Sequence, residues 1–119
     1  MIITRKIILN YLEAWQRGEK TAQEIWEWAE SHFAVDSTDY DDWENDNSVS
    51  KEVMGALDCL NMNLVIVEDI PTYIEFLKTP QGQFQEGYAK WQQQLDSIDY
   101  KQRQKTLKDD PLYQRFCNE

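Results

Sequence analysis

The amino-acid sequence predicts an all-α fold: a compact single-domain bundle of five to seven helices, with an acidic loop between the second and third helices. A chain of 119 residues has the size of one domain, so we assign residues 1–119 to a single helical domain. Apolar side chains recur every three or four residues through most of the chain, often after helix-capping residues. The densest apolar stretch, Val53–Leu77, contains two such stripes, which should pack on each other and organise the other helices.

The first two helices are predicted from capping residues followed by apolar faces. Thr4 is the predicted N-cap of the first helix, and Gly18 stands where this helix should end. The apolar face of the first helix comprises Ile3, Ile7, Ile8, Tyr11, Leu12 and Trp15. Thr21 and Glu24 have the spacing of a capping box, which opens a second helix that runs to about Phe33.

The middle of the chain predicts two further helices joined by a buried connection. The third helix starts near Ser48 and runs to about Leu60. The run Leu64–Val67 is apolar and mostly branched, as in a strand, but a lone strand has nothing to pair with. We therefore interpret this run as a buried connection. Pro71 fits only in the first turn of a helix, so it marks the start of the fourth helix.

The C-terminal third predicts one long helix and two short ones. Thr79 and Pro80 provide a cap and a first position for a fifth helix of about 20 residues. Its apolar face runs through Phe84, Tyr88, Trp91, Leu95 and Ile98. A short basic helix, Tyr100–Leu107, follows. Asp110-Pro111 then caps a last short helix, whose buried face comprises Leu112, Tyr113, Phe116 and Cys117.

The net charge of −10 is concentrated in one part of the chain. Residues 21–69 contain thirteen acidic side chains and a single base, Lys51, whereas residues 1–20 carry a small positive excess. Nucleic acids and anionic membranes bind Lys and Arg, so we expect neither as a direct partner. A basic protein is the expected partner, because opposite charges steer association.

The sequence also predicts a cytoplasmic protein. No apolar run approaches the roughly 20 residues that span a bilayer, and the N-terminal stretch lacks the features of a secretory signal. Cys59 and Cys117 lie far apart, within or beside apolar patterns, which favours buried free thiols in a reducing compartment. A single disulfide between them is the alternative.

A search for catalytic and metal-binding residues finds no convincing set. The only histidine, His32, lies two residues from Glu30, whereas ligands on one helix face are three or four residues apart. A calcium loop that began at Asp42 would have Asn47 at its glycine position and Val53 at its final glutamate position. No nucleophile motif or phosphate-binding loop is present. We therefore expect no enzymatic activity, no metal and no cofactor, although carboxylates distant in sequence could still pair in the fold.

The acidic run between the second and third helices is the candidate binding site. It lacks helical periodicity and is rich in residues that favour turns. Its carboxylates would attract a cationic partner, and its two aromatic side chains would anchor it. The predicted partner-binding residues are Asp36, Asp39, Tyr40, Asp41, Asp42, Trp43, Glu44 and Asp46. Alternatively, the run is a solvated loop whose rings turn into the core, or the basic residues of 101–108 neutralise it.

Two segments of the sequence resemble small all-helical bacterial proteins of uncharacterised function. The first segment contains Tyr11-Leu-Glu-Ala-Trp15, Gly18, Thr21, Trp26 and Trp28-Ala-Glu30. The second segment contains Leu57-Asp-Cys-Leu-Asn-Met-Asn-Leu64 followed by Glu68-Asp-Ile-Pro71. They consist of helix caps and core positions, so the resemblance implies a fold. In size, charge and helix content the chain is also similar to the immunity proteins that neutralise bacterial nuclease toxins, which implies a basic toxin as partner. The alternative function is a small structural or regulatory domain that self-associates through an apolar face, for instance as a homodimer.

Overall fold

The computed structural model describes residues 1–33 and 35–117. Six α-helices make up most of this part of the chain, which confirms the predominantly helical class. The helices are Arg5–Gln16 (α1), Ala22–His32 (α2), Val49–Asp58 (α3), Ile70–Leu77 (α4), Phe84–Asp96 (α5) and Tyr100–Leu107 (α6). Two short 3-10 helices, Val67–Asp69 and Gln114–Phe116, precede α4 and follow α6.

Helix α4 lies at the centre of the fold, in contact with α1, α3 and α5, while α2 packs on α3. The stretch from residue 53 to residue 77 supplies much of the core, as its apolar content predicts. Its buried hydrophobic members are Val53, Met54, Leu57, Leu60, Leu64, Val65, Ile70, Tyr73, Phe76 and Leu77. Burial of one large apolar side chain contributes about 1.5–3 kcal/mol, so this stretch contributes substantially to the stability of the fold. The predicted buried connection Leu64–Val67 is confirmed only in its first half, because Leu64 and Val65 are buried whereas Val67 is 39% exposed.

The predicted N-caps of the first two helices, Thr4 and Thr21, are confirmed, and the third helix begins next to Ser48 as expected. Thr4 Oγ1 accepts a hydrogen bond from the backbone N of Ile7 at 3.1 Å, and Gly18 adopts the left-handed conformation (φ +80°) beyond the end of α1. Thr21 and Glu24 form both hydrogen bonds of a capping box. Ser48 caps α3. These side chains satisfy backbone N–H groups that the first turn of a helix leaves without partners.

Four strands of two residues each lie around the N-terminus and between α2 and α3. They are Ile2–Ile3 (β1), Asp39–Tyr40 (β2), Trp43–Glu44 (β3) and Asn47–Ser48 (β4). β1 and β2 pair in parallel, and β3 and β4 form an antiparallel hairpin. Asn45 in the hairpin turn has φ +58°, a conformation that asparagine tolerates better than most residues. The predicted acidic loop is therefore not confirmed as a loop, because pairing with the distant N-terminus and a tight turn give it strand structure.

The fifth helix is shorter than predicted. It begins at Phe84, because Gly82 has φ +90° and interrupts any helix that starts at Pro80. Thr79 is buried and does not cap α5; its side chain instead lies against Gly87, where a β-carbon would collide with it. The last predicted helix is also only partly correct, since the chain forms a 3-10 turn at Gln114–Phe116.

Candidate partner-binding site

Asp42, one of the predicted partner-binding residues, is only 8% exposed and attaches the acidic segment to the core. Its Oδ2 accepts hydrogen bonds from Arg5 Nε at 2.8 Å and from the backbone N and Oγ of Ser50, both at 3.0 Å. Its Oδ1 accepts a hydrogen bond from Ser48 Oγ at 2.5 Å. Burial raises the pKa of Asp42, but the hydrogen bonds from Ser48, Arg5 and Ser50 outweigh burial and hold the pKa below its usual value. Asp42, which the sequence analysis predicted as a partner contact, is therefore a buried anion with internal hydrogen-bond partners.

Arg5 extends this anchor to a third element of the fold. Its Nη1 donates hydrogen bonds to the carbonyl oxygen of Leu77, at 3.0 Å, and to that of Thr79. These carbonyls lie at and just beyond the C-terminus of α4, where the helix dipole favours a nearby cation. One guanidinium group therefore joins α1, the acidic segment and the end of α4.

Tyr40 is also part of the core, with only 6% of its surface exposed. Its ring contacts the ring of Trp43 edge-on, with centroids 6.2 Å apart. Burial raises the pKa of Tyr40, so its hydroxyl group stays neutral. The ring of Tyr40 is turned inward, as in the alternative interpretation of the acidic run, so Tyr40 presents little surface to a partner.

Five members of the predicted set are exposed and close together in sequence. These residues, which we term the acidic face, are Asp36, Asp39, Asp41, Trp43 and Asp46. The side chain of Asp39 orients Trp43, because its Oδ1 accepts a hydrogen bond from Trp43 Nε1 at 3.0 Å. The bonds from Trp43 and from the backbone N of Tyr40 lower the pKa of Asp39, which keeps it ionised. The ammonium group of Lys51 lies 5.5 Å from the centre of the Trp43 ring.

Exposed hydrophobic side chains border the acidic face. Met1, Ile2 and Val35 are 61%, 56% and 44% exposed. Backbone hydrogen bonds bring Met1 to this segment: its terminal N donates to Ser37 O at 2.6 Å, and its O accepts from Asp39 N at 2.9 Å. The N-terminus of the chain therefore contributes apolar surface next to the carboxylates.

The basic helix α6 does not neutralise the acidic face. Arg103, in α6, instead binds the buried Asp69 through two hydrogen bonds of 2.7 and 2.6 Å and also donates to the carbonyl oxygen of Leu64. Among the described residues, ion pairs of 4.0 Å or less occur at Arg5–Asp42, Arg17–Glu19, Lys90–Glu75 and Arg103–Asp69. None of these pairs includes a carboxylate of the acidic face.

Helix α2, which precedes the acidic face in the sequence, carries further negative charge. Glu24, Glu27 and Glu30 are all exposed. Glu24 completes the capping box of α2, and Glu27 accepts a hydrogen bond from Gln23 at 3.1 Å. Within the part of the chain that the structure describes, none of the three forms an ion pair. The unbalanced charge therefore extends from α2 into the acidic segment, as the sequence indicates.

Glu44, the remaining predicted residue, is half-buried beside a cavity of about 180 Å³. This cavity lies between the β3–β4 turn and the start of α5, and Glu86 also lines it. Glu44 Oε2 is buried and has no hydrogen-bond partner among the described residues. Glu44 thus lies at the edge of the acidic face and is less accessible than the four aspartates.

The described residues contain no group of three or more His, Cys, Asp or Glu side chains that could hold a metal ion. His32 packs edge-on against Trp28, with ring centroids 6.2 Å apart, which is a structural contact. Cys59 and Cys117 are free thiols. No helix in residues 1–33 and 35–117 combines the length and the apolar content that crossing a membrane requires.

Comparisons of this chain with protein-family models, with curated proteins and with solved structures find no match.

Sequence reasoning did not identify the anchor of the acidic segment. Arg5, Ser48 and Ser50 come from separate elements, and only the fold brings them to Asp42. One signal was present in the sequence: Arg5 stands in the first turn of α1, where a cation is unfavourable unless an anion compensates it.

Proposed function

We propose that this protein is a non-enzymatic acidic binding protein that neutralises a basic protein partner by covering its cationic surface with the acidic face. The most concrete form of this function is an immunity protein against a bacterial toxin. The observation that carries the proposal is that four exposed aspartates of the acidic face form no ion pair within the described residues. Carboxylates in this state attract a cationic partner and can pair with it without first breaking internal salt bridges.

The apolar surface beside the acidic face supports a protein as the partner. Specific interfaces combine an apolar centre with a polar, charged rim. Of the seven large hydrophobic residues that are exposed in the described chain, four lie within or beside the acidic face: Met1, Ile2, Val35 and Trp43. An exposed tryptophan held by a hydrogen bond is the type of side chain that dominates interface energetics.

The anchor at Asp42 also supports a binding role. Hydrogen bonds to Arg5, Ser48 and Ser50 fix the segment before association, so that less conformational entropy is lost when a partner binds. In this arrangement Asp42 supports the surface, and the exposed aspartates contact the partner.

The proposal is tested by removing charge from the acidic face without changing its shape. The face variant carries Asp36→Asn, Asp41→Asn and Asp46→Asn, and it retains Asp39 because that side chain orients Trp43. Wild type and variant are used to capture proteins from the native host, and captured proteins are identified by mass spectrometry. We expect the wild type to recover a basic protein that the variant recovers at least about tenfold less efficiently.

A charge-matched control separates the effect of the acidic face on binding from the effect of the net charge of the protein. The control variant carries Glu68→Gln, Asp96→Asn and Asp109→Asn, which remove three exposed carboxylates outside the acidic face. It should recover the same partner as the wild type. Equal recovery by the face variant and the control variant would show that the acidic face is not the docking surface.

Self-association through an apolar face is the second candidate function. Met62 and Val67, in the connection between α3 and α4, are 53% and 39% exposed. Salt does not screen apolar association, whereas charge-steered binding weakens as the salt concentration rises. Sedimentation of the purified protein at low and high salt separates the two candidates, because a salt-independent dimer favours self-association.

A further inference from the structure

Trp43 is the exposed aromatic residue of the acidic face, and its ring is fixed before any partner binds. Its Nε1 donates a hydrogen bond to Asp39 Oδ1 at 3.0 Å, and the ring of Tyr40 contacts it edge-on with centroids 6.2 Å apart. Trp43 remains 39% exposed. A fixed ring loses little conformational freedom on binding, so Trp43 offers a preformed contact surface to an incoming side chain.

The ring of Trp43 already contacts a cation of the same chain. Lys51 Nζ lies 5.5 Å from the ring centre, within the roughly 6 Å over which an aromatic ring attracts a cation. Tryptophan attracts cations more strongly than the other aromatic side chains do. Lys51 is also the only lysine or arginine in residues 21–69. The one such cation of this acidic part of the chain therefore lies over its exposed tryptophan.

Few interactions hold the ammonium group of Lys51 in this position. Lys51 is exposed, and within the described residues its side chain forms no ion pair and donates no hydrogen bond. It lies in the first turn of α3, where the helix dipole disfavours a cation. Displacement of Lys51 from the ring therefore costs mainly the contact with Trp43, which at an exposed site is a factor of about two to five in affinity.

We propose that Lys51 is an internal competitor for the Trp43 ring, and that an arginine side chain of the basic partner replaces it there when the acidic face binds. This inference rests on the proposed function and adds to it the side chain that the partner contributes and the side chain that leaves. Arginine is the expected occupant, because its planar and weakly hydrated guanidinium group stacks on aromatic rings. A lysine of the partner would only exchange one ammonium group for another, with no net gain from the ring.

The first test compares two peptides of equal length and charge by isothermal titration calorimetry at low salt. One peptide consists of four Gly-Arg repeats and the other of four Gly-Lys repeats, both with blocked termini. We expect the wild-type protein to bind the arginine peptide more tightly than the lysine peptide. Trp43→Leu should weaken binding of the arginine peptide by about twofold and leave the affinity for the lysine peptide unchanged.

A double-mutant cycle isolates the competition by Lys51. Lys51→Gln should strengthen binding of both peptides, because it removes a positive charge and also vacates the ring. The effect of the charge is present with or without the ring, so it cancels when the gain in the wild-type background is divided by the gain in the Trp43→Leu background. We expect this ratio to be about two to five. Lys105→Gln, which makes the same charge change at an exposed position of α6, should give a ratio of about one.

A ratio of about one for Lys51→Gln would overturn the proposal, because Lys51 would then not compete for the ring. Should Trp43→Leu fail to fold, Trp43→Phe keeps an aromatic ring and should give a smaller ratio that is still above one.

Equal binding of the two peptides by the wild type would overturn the assignment of arginine, and the absence of binding by either peptide would overturn the whole inference. The proposed function is judged separately, by the capture experiment with the face variant. Capture of a basic protein through the acidic face, together with a ratio of about one, would remove only the role of Lys51.

Discussion

Truncation of the buried carboxylate in Asp42→Ala should strongly destabilise the protein. The substitution removes four hydrogen bonds, from Arg5 Nε, Ser48 Oγ, and the N and Oγ of Ser50. It also leaves the Arg5 guanidinium, of which 24% of the side-chain surface is exposed, without its anion. Loss of one partner from a fully buried ion pair costs about 3–5 kcal/mol, and the partial exposure of Arg5 reduces this to about 2–4 kcal/mol.

A loss of this size is a large fraction of the free energy of unfolding, which is about 5–15 kcal/mol for a typical domain. Urea denaturation followed by tryptophan fluorescence measures it as a lower transition midpoint at an unchanged m-value. The matched control is Arg17→Ala, which breaks the exposed Arg17–Glu19 pair and should leave the midpoint unchanged. A change of less than about 1 kcal/mol in Asp42→Ala would refute the idea that this carboxylate anchors the acidic segment.

The same anchor has a defined dependence on pH. The pKa of Asp42 is lowered in the folded protein, so its ionised form contributes stability that is fully present above the unfolded pKa, near 3.8. This contribution is lost as the pH falls through the lower, folded pKa. The difference in free energy of unfolding between wild type and Asp42→Asn should therefore be constant from neutral pH to about 5 and shrink below about 4. A difference that grows on acidification would contradict this assignment.

Two further substitutions test the packing of the C-terminal helices. Arg103→Ala removes the cation that binds the buried Asp69 and should cost about 2–4 kcal/mol in urea denaturation, whereas Lys101→Ala, on the exposed surface of the same helix, should have little effect. Gly87→Ala would ordinarily stabilise a helix, but its β-carbon collides with the side chain of Thr79, so we expect a loss of about 1–3 kcal/mol. Thr79→Ala should recover part of that loss in the double variant, and a Gly87→Ala protein more stable than wild type would disprove the close contact.

Local rules predicted the helices well, because the signals for a helix lie within a few residues of one another. Thr4 and Thr21 cap helices as predicted, α3 begins next to Ser48, and Pro71 lies in the first turn of α4. The predicted start of α5 at Pro80 was wrong, because the conformation of a nearby glycine overrides the capping signal. Thr79-Pro80 has the residues of a helix start, but the left-handed Gly82 ends any helix that begins there.

The acidic segment could not be predicted because the interactions that shape it come from distant parts of the chain. The pairing of Ile2 with Asp39 and the hydrogen bond from Arg5 to Asp42 each join residues 37 positions apart. The burial of Asp42 among four exposed aspartates follows from these contacts. Composition showed that the segment is acidic, whereas only the fold shows which carboxylates a partner can reach.

The exposed aspartates of the acidic face should steer a cationic partner toward this protein. The direct measurement is the association rate constant between this protein and the captured partner, as the salt concentration is raised from about 50 to about 500 mM. For the wild type and the charge-matched control we expect a decrease of about tenfold or more, and for the face variant a slower rate that changes little with salt. The same salt dependence in the wild type and the face variant would contradict steering by the acidic face.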